Sequence, residues 1–346
     1  VFGAGKGVAG SAYKNLSMVR NTEVTVTGES HVFGTVFGSG EDGHVIQRTN
    51  ILIGDANING TDVDGSKVII GTNGESGVDG NVYGAGRGLD KDPSGNYSAT
   101  AGIVGISTNI VINDGKVMGS VFGGGRMASV GHEHALDSIQ VGEDYKPITA
   151  NIPEDFGWAN IHITGDATIG ANNTYDNGHV FGSGMGTLGY ANLTSVFETH
   201  VTVNGDATVH GTVYGGGEVG HVKYHKVEGD NGDVEINGNT YVTIGGNSTV
   251  GSESNHVFGG GYGDLTSLTA GKVDGIARVT VKENARVLGS VVGGGRIALV
   301  EEARIVNIEG GTVERHVLGG NYTIPTAATG ADNKSLKTVN IRDGLI

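Results

Sequence analysis

The chain has no cysteine, which removes disulfides, thiol catalysis and cysteine-based zinc sites together. It has four prolines and a single tryptophan in 346 residues. No apolar run approaches the ~18 residues of a membrane span, so membrane insertion is not expected. Helical periodicity is nowhere sustained over ten residues. Positive charge is scarce: 22 Lys and Arg stand against 37 Asp and Glu, a net charge of −15. That balance argues against nucleic acid or an anionic membrane as a partner, because phosphate contacts need clustered Lys and Arg. The sequence opens without an initiator methionine or signal peptide, and is expected to be a piece of something longer.

What the chain has in excess is glycine, 65 residues against a usual ~7%. No Gly-X-Y period accompanies it, which excludes collagen. Apolar residues reach 37% and recur with period two, which argues for strands and against disorder.

The glycines gather in a five-residue motif: Val, a large apolar residue, Gly, a small residue, Gly. Clear copies are Val82-Tyr83-Gly84-Ala85-Gly86, Val121-Phe122-Gly123-Gly124-Gly125, Val213-Tyr214-Gly215-Gly216-Gly217 and Val257-Phe258-Gly259-Gly260-Gly261. Others start at Val1, Val36 and Val180, with degenerate copies at Val291 and Val317. Val and an aromatic suit a pleated, half-buried strand. The glycines that follow permit positive φ and close backbone approach. The corner glycines are therefore Gly38 and Gly40, Gly84 and Gly86, Gly123 and Gly125, Gly182 and Gly184, Gly215 and Gly217, Gly259 and Gly261, and Gly293 and Gly295.

Successive starts differ by 35, 46, 39, 59, 33, 44, 34 and 26 residues. The motif holds while the spacing varies, so insertions fall in surface loops, near 87–101, 126–158 and 321–337. An alternating strand precedes most copies, as in Ile161-His162-Ile163 or Tyr241-Val242-Thr243-Ile244. A turn such as Asn204-Gly205-Asp206-Ala207 follows it. A third short strand often follows the corner, as in His221-Val222-Lys223 or Ala298-Leu299-Val300. Three strands and three corners per turn predict one continuous domain over 1–346. Its class is all-β: a parallel, right-handed β-solenoid of about nine coils, roughly 40 Å long. A β-propeller is the rival, but its blades fit such uneven spacing poorly.

This repeat resembles the glycine-rich Val-Phe-Gly-Gly-Gly regions of large bacterial surface proteins, similar to the β-helical stalks of autotransporter-like adhesins. The resemblance covers nearly the whole chain and rests on repeat composition. It implies a secreted or cell-surface scaffold, extracellular in location, and brings no catalytic residue.

Several segments carry chemistry worth weighing. Gly38-Ser39-Gly40-Glu41-Asp42-Gly43 matches a dinucleotide pattern, but His44-Val45-Ile46 follows where a helix is needed; a solenoid corner is expected. Asp90-Lys91-Asp92-Pro93-Ser94-Gly95-Asn96 resembles half a calcium loop, with Asp90, Asp92 and Ser94 as oxygen ligands. Ala101 stands where the bidentate Glu belongs, so a solvated turn is the rival. Calcium is the one cofactor the sequence admits. Asp230-Asn231-Gly232-Asp233 is a similar acidic turn with a weaker claim. His31, His179, His256 and His316 precede a Val-apolar-Gly segment, with Asn81, Ser120, Thr212 and Ser290 in the same slot elsewhere, and these predict a polar ladder. In the 59-residue interval, His132-Glu133-His134 lacks the i,i+4 spacing of a helical zinc site. Trp158, Tyr145 and Phe156 could stack on a sugar ring, or the aromatics could staple the loop to the solenoid flank.

Three functions follow. The first is a non-catalytic structural or adhesive scaffold. The second is a polysaccharide-lyase-like enzyme using Asp90, Asp92, Arg87 and Lys91. The third is a glycan-binding module using the Trp158 loop. Three or more carboxylates converging beside Arg or Lys would favour the enzyme. With no polar cap legible at either end, further repeats or identical copies stacked end to end are the expected partners.

Overall fold

A computed structural model describes residues 1–7, 17–55, 67–72, 80–88, 91, 94–98, 100–170, 177–326 and 335–346. It is all-β. The helical segments among these residues are three short 3-10 turns, Glu133–Ala135, Thr149–Asn151 and Ala191–Thr194. Strands succeed one another in chain order and pair in parallel, one coil upon the last. That arrangement is a parallel β-solenoid. Closed blades are excluded, because each strand pairs with its counterpart in the neighbouring coil.

Each coil has four sides. The long side is a ladder that runs through Thr22–Val26, Arg48–Ile53, Ser107–Ile112, Trp158–Ile163, Glu198–Val203, Thr240–Ile244, Ala277–Val281, Arg304–Val313 and Lys337–Leu345. A second ladder of two-residue strands follows the turn, as in Lys116–Val117, Thr168–Ile169 and Thr208–Val209. The motif dipeptides form the third, from Val36–Phe37 to Val317–Leu318, with Phe2 joined to Phe37 by a bridge. The fourth is built mostly of single-residue bridges, Val45 to Val104 to Val130 and Val196 to Val222 to Val273 to Val300. The three-sided coil expected from the sequence is thus corrected to four. The second ladder escaped notice because its strands are only two residues long and sit directly behind the Gly-Asp turn, where Gly205 takes φ +65°.

Period two explains the core. Alternate residues of the long strands point inward, so Val24, Ile51, Ile110, Ile161, Val201, Val242, Val279 and Val306 stack as one buried column. The motif valines face the same core. Each such side chain, fully buried, contributes about 1.5–3 kcal/mol. The motif aromatics point the opposite way, yet are also buried. Phe2, Phe37, Tyr83, Phe122, Phe181, Tyr214 and Phe258 stack ring on ring at 4.7–5.1 Å, with planes within 2–9°. That interval matches the strand spacing of about 4.8 Å, so backbone pairing sets the stacking distance.

The corner glycines are needed for a reason other than positive φ. None of the fourteen named above has φ in the left-handed region. What they require is proximity. A methyl group on Gly38, Gly84, Gly123, Gly182 or Gly215 would overlap the carbonyl oxygen of the same glycine one coil along. A methyl on Gly216 would lie 2.7 Å from the Gly261 nitrogen. The carbonyls of Gly38, Gly84, Gly123, Gly215 and Gly259 each accept a bond from an inward threonine of the long strand in their own coil: Thr22, Thr49, Thr108, Thr199 and Thr240, at 2.6–2.7 Å.

Elsewhere the coil opens to admit extra chain. At two corners between the second and third ladders, two glycines eight or nine residues apart in sequence pack against each other. A methyl on Gly71 would sit 2.5 Å from the Gly80 Cα, and one on Gly170 would sit 2.7 Å from the Gly178 Cα. The only antiparallel ladders among the described residues are two hairpins off the shaft. One is Ser138–Val141 with Asp144–Pro147, inside the 126–158 insertion; the other is His225–Gly229 with Gly232–Ile236.

Candidate functional site

The two hairpins form an annex against the long side of the solenoid. They are clamped together where the Asp230 carboxylate accepts from the Thr149 backbone N–H at 2.8 Å and from its hydroxyl at 3.1 Å. These bonds hold the Asp230 carboxyl below its ordinary pKa. The acidic turn at Asp230 is therefore a tie between hairpins. The annex has its own small core of Phe156, Phe197 and Val227, with Leu136, Ile152 and Ile236 packed around it. His225 stacks on Phe197 at 4.1 Å, and burial lowers its pKa. Arg48 anchors the insertion to the shaft through a two-bond pair with Asp155, at 2.7 and 2.8 Å, which Ser107 joins at 2.5 Å. The Arg48 bond lowers the Asp155 pKa.

Three residues expected to act together are separated by this arrangement. Phe156 is 1% exposed and packs on Phe197, so it is a staple of the annex and is withdrawn as a ligand contact. Tyr145 is 73% exposed, on the second strand of the first hairpin. Trp158 opens a long strand on the solenoid face and packs its ring on His200 at 4.6 Å. Only Trp158 faces a cavity.

That cavity, about 300 Å³, lies between the annex and the long ladder. Trp158 and Glu198 line it from adjacent coils, paired directly in register. Glu154, Glu235 and Asn237 complete its polar lining, with Ile152, Pro153, Val234 and Ile236 as apolar wall. Three glutamates, Glu154, Glu198 and Glu235, thus line the groove, and no Arg or Lys does. Glu198 is held by the His200 ring nitrogen at 2.8 Å.

The second hairpin was missed by sequence reasoning, although its signal was present. Asp230-Asn231-Gly232 between alternating His225–Gly229 and Gly232–Ile236 is a short-range hairpin pattern. Read only as a candidate cation turn, it hid the wall that supplies Glu235 and Asn237.

The predicted polar ladder exists, with one change of membership. Asn81 accepts from the Ser120 N–H at 2.7 Å, Ser120 from His179 at 3.1 Å, His179 Nδ1 from Thr212 at 2.9 Å. The run continues from Thr212 to His256 at 3.2 Å, His256 Nδ1 to Ser290 at 3.1 Å and Ser290 to His316 at 3.4 Å. Because Nδ1 accepts in both histidines, their proton sits on Nε2 in the neutral ring. Burial, then nearby Arg315 and Arg296, lowers the His256 pKa in agreement. His31 is no member: it precedes Val32 in the second ladder, and Thr35 precedes the motif Val36.

Of the calcium candidates, Asp90 and Asp92 lie outside the described residues. Ser94 is exposed at the start of a turn. Lys91 sits over the Tyr97 ring at 4.7 Å, and Arg87 joins Glu41 and Arg126 as a backbone bridge on the third corner. Among the described residues no three His, Cys, Asp or Glu side chains are placed to hold a metal ion. His132 caps the 3-10 turn that contains His134, and its Glu133 pairs with His225 at 3.1 Å.

A second polar knot lies on the fourth side. Asp274 takes bonds from His221 at 2.8 Å, Lys272 at 2.9 Å and the Tyr224 N–H at 3.0 Å. Burial alone would raise its pKa, but these partners outweigh burial and hold it far below the ordinary range.

No protein family, curated protein or solved structure matches the chain.

Proposed function

We propose that the chain is a non-catalytic structural scaffold, a stiff section of a large secreted or surface-exposed bacterial protein that works outside the cell. One observation carries this reading. From Asn81 to Ser290, six polar side chains in successive coils are spent on the next coil's backbone, the last of them on the His316 N–H. Side chains committed to backbone bonds serve the continuity of a rod and are withdrawn from chemistry on a substrate. Such a shaft holds its lateral annex at a fixed distance and orientation.

The terminal coils support a partner of the same kind. Val339, Ile341 and Leu345 are exposed at one end, Val1 and Phe2 at the other. Val1, Phe2, Val339 and Ile341 occupy columns that are buried in the interior coils, and bare strand edges template further strands. We propose that further coils cover these surfaces, supplied either by a longer parent chain or by an identical copy stacked end to end. Static light scattering tests this: mass should rise with concentration in whole multiples of 35.3 kDa. A concentration-independent monomer would refute stacking.

The scaffold reading is tested by incubating the chain with neutral and acidic polysaccharides, with and without calcium. No new reducing or unsaturated ends should form. Turnover that is lost in Asp92→Ala would establish the lyase alternative instead.

A further inference from the structure

Beyond a scaffold role, we infer that the groove beside Trp158 is a binding site for a glycan carrying free amino groups, of the glucosamine type. The argument starts from register. Trp158 and Glu198 are paired residues on adjacent strands of one face, and such strands lie about 4.8 Å apart. An indole platform therefore has a carboxylate at its edge, one coil away. A pyranose ring resting on the indole presents apolar C–H groups to it and directs its equatorial substituents toward that carboxylate. Glu154 and Glu235 approach from the two insertions, and Asn237 adds an amide.

The charge of the lining selects among sugars. Three carboxylates with no lining cation repel uronates and sulfated sugars. An ammonium group gains from the carboxylates and from the negative face of an indole. The apolar wall of Ile152, Pro153, Val234 and Ile236 excludes water from the ring's second face.

The groove is also built before any ligand arrives. The His200 ring packs on Trp158 and its Nε2 holds Glu198. The backbone N–H of Trp158 donates to the Asp155 carbonyl at 3.1 Å. The walls are fixed to each other by Thr149 and Asp230. A preformed site loses little conformational entropy on binding.

The single tryptophan makes the test direct, since intrinsic emission reports this groove alone. The full chain is titrated in mildly acidic buffer with glucosamine tetramer, its N-acetylated counterpart, galacturonate tetramer and hexylammonium. Saturable change with the glucosamine tetramer is expected, about tenfold tighter than for the acetylated form, with none from galacturonate. The double variant Glu154→Gln, Glu235→Gln removes two exposed charges, so its melting temperature should hold while glucosamine affinity falls about tenfold or more. A flat titration with the glucosamine tetramer would overturn the site. Equal binding of galacturonate would overturn the charge argument, and hexylammonium matching the tetramer would overturn the sugar.

Discussion

The shaft and the annex are held together by different physics. In the shaft the coils repeat the same few contacts: inward valines or isoleucines, a glycine pressed on the next glycine's carbonyl and, in five coils, a threonine bonded to a corner glycine's carbonyl oxygen. In the annex each tie is used once: Arg48 to Asp155, Thr149 to Asp230, Phe156 against Phe197. Repetition makes the shaft intolerant of added volume, because each corner atom meets backbone that cannot rotate away. Single-use ties leave the annex free to vary in sequence, and that is where the groove formed. Under the proposed reading, the shaft serves support and the flank recognition.

The sharpest way to break this comparison uses one repeat position in two settings. Gly216 faces the Gly261 backbone of the next coil, whereas Gly320, the same slot in the last motif copy, has nothing within 4 Å. Gly216→Val should cost about 4 kcal/mol or more by steric overlap, and Gly320→Val less than about 0.5 kcal/mol. Denaturant melts of both variants decide it. Equal costs would mean that strand propensity, and not coil contact, sets the glycine requirement.

Next in size is Phe156→Ala. Truncating a buried phenylalanine should remove about 3–4 kcal/mol, but from the annex alone. Hydrogen exchange should accelerate across 138–147 and 225–236 while the core strands of 198–203 and 240–244 keep their protection. Uniform acceleration would show that annex and shaft unfold as one unit.

Asp155→Asn should have a smaller effect. The Arg48 pair is partly open to solvent, with about a third of each side chain exposed, so screening limits the loss to about 1–2 kcal/mol. Because the native Asp155 pKa is lowered, its contribution is present above the unfolded value near 4 and fades as pH falls below it. The variant should flatten that acid limb.

The smallest expected change at neutral pH is His256→Asn, which keeps an acceptor in the slot that Asn81 already uses. Its signature lies in acid. A histidine whose folded pKa is lowered leaves the unfolded chain binding more protons, so stability rises with pH through that window. The wild type should lose stability as pH falls from about 6.5 toward the folded pKa, and the variant should lose less. Melting temperature against pH reads the difference.

How much of this was legible follows from the same division. Whatever is repeated was readable: the motif, the long strands, the polar slot and the fold class. Val82-Tyr83-Gly84 announces its neighbours because copies align. The role of the glycines was half read, since crowding and positive φ both call for glycine and only coordinates separate them. The second ladder fell below the length at which alternation can be seen. The groove was illegible as a whole. Trp158, Glu198 and Glu235 lie on three separate segments, and pairing Trp158 with Glu198 depends on a register between residues 40 apart in the chain. Phe156 looked equivalent to Trp158 two positions later, yet strand entry turned one inward and the other to the groove.

The glycine pairs at Gly71 with Gly80 and Gly170 with Gly178 act as ports. Where two Cα atoms touch, the chain exits and re-enters at almost one point, so the coil is closed whatever lies outside. The entropy of closing a loop grows only about 0.6 kcal/mol per doubling of its length. A port of this kind lets a solenoid exchange its outer segments without renegotiating its interior. A foreign peptide spliced between such a pair would be displayed at a set height along the rod, and two ports in different coils would space two peptides like marks on a ruler.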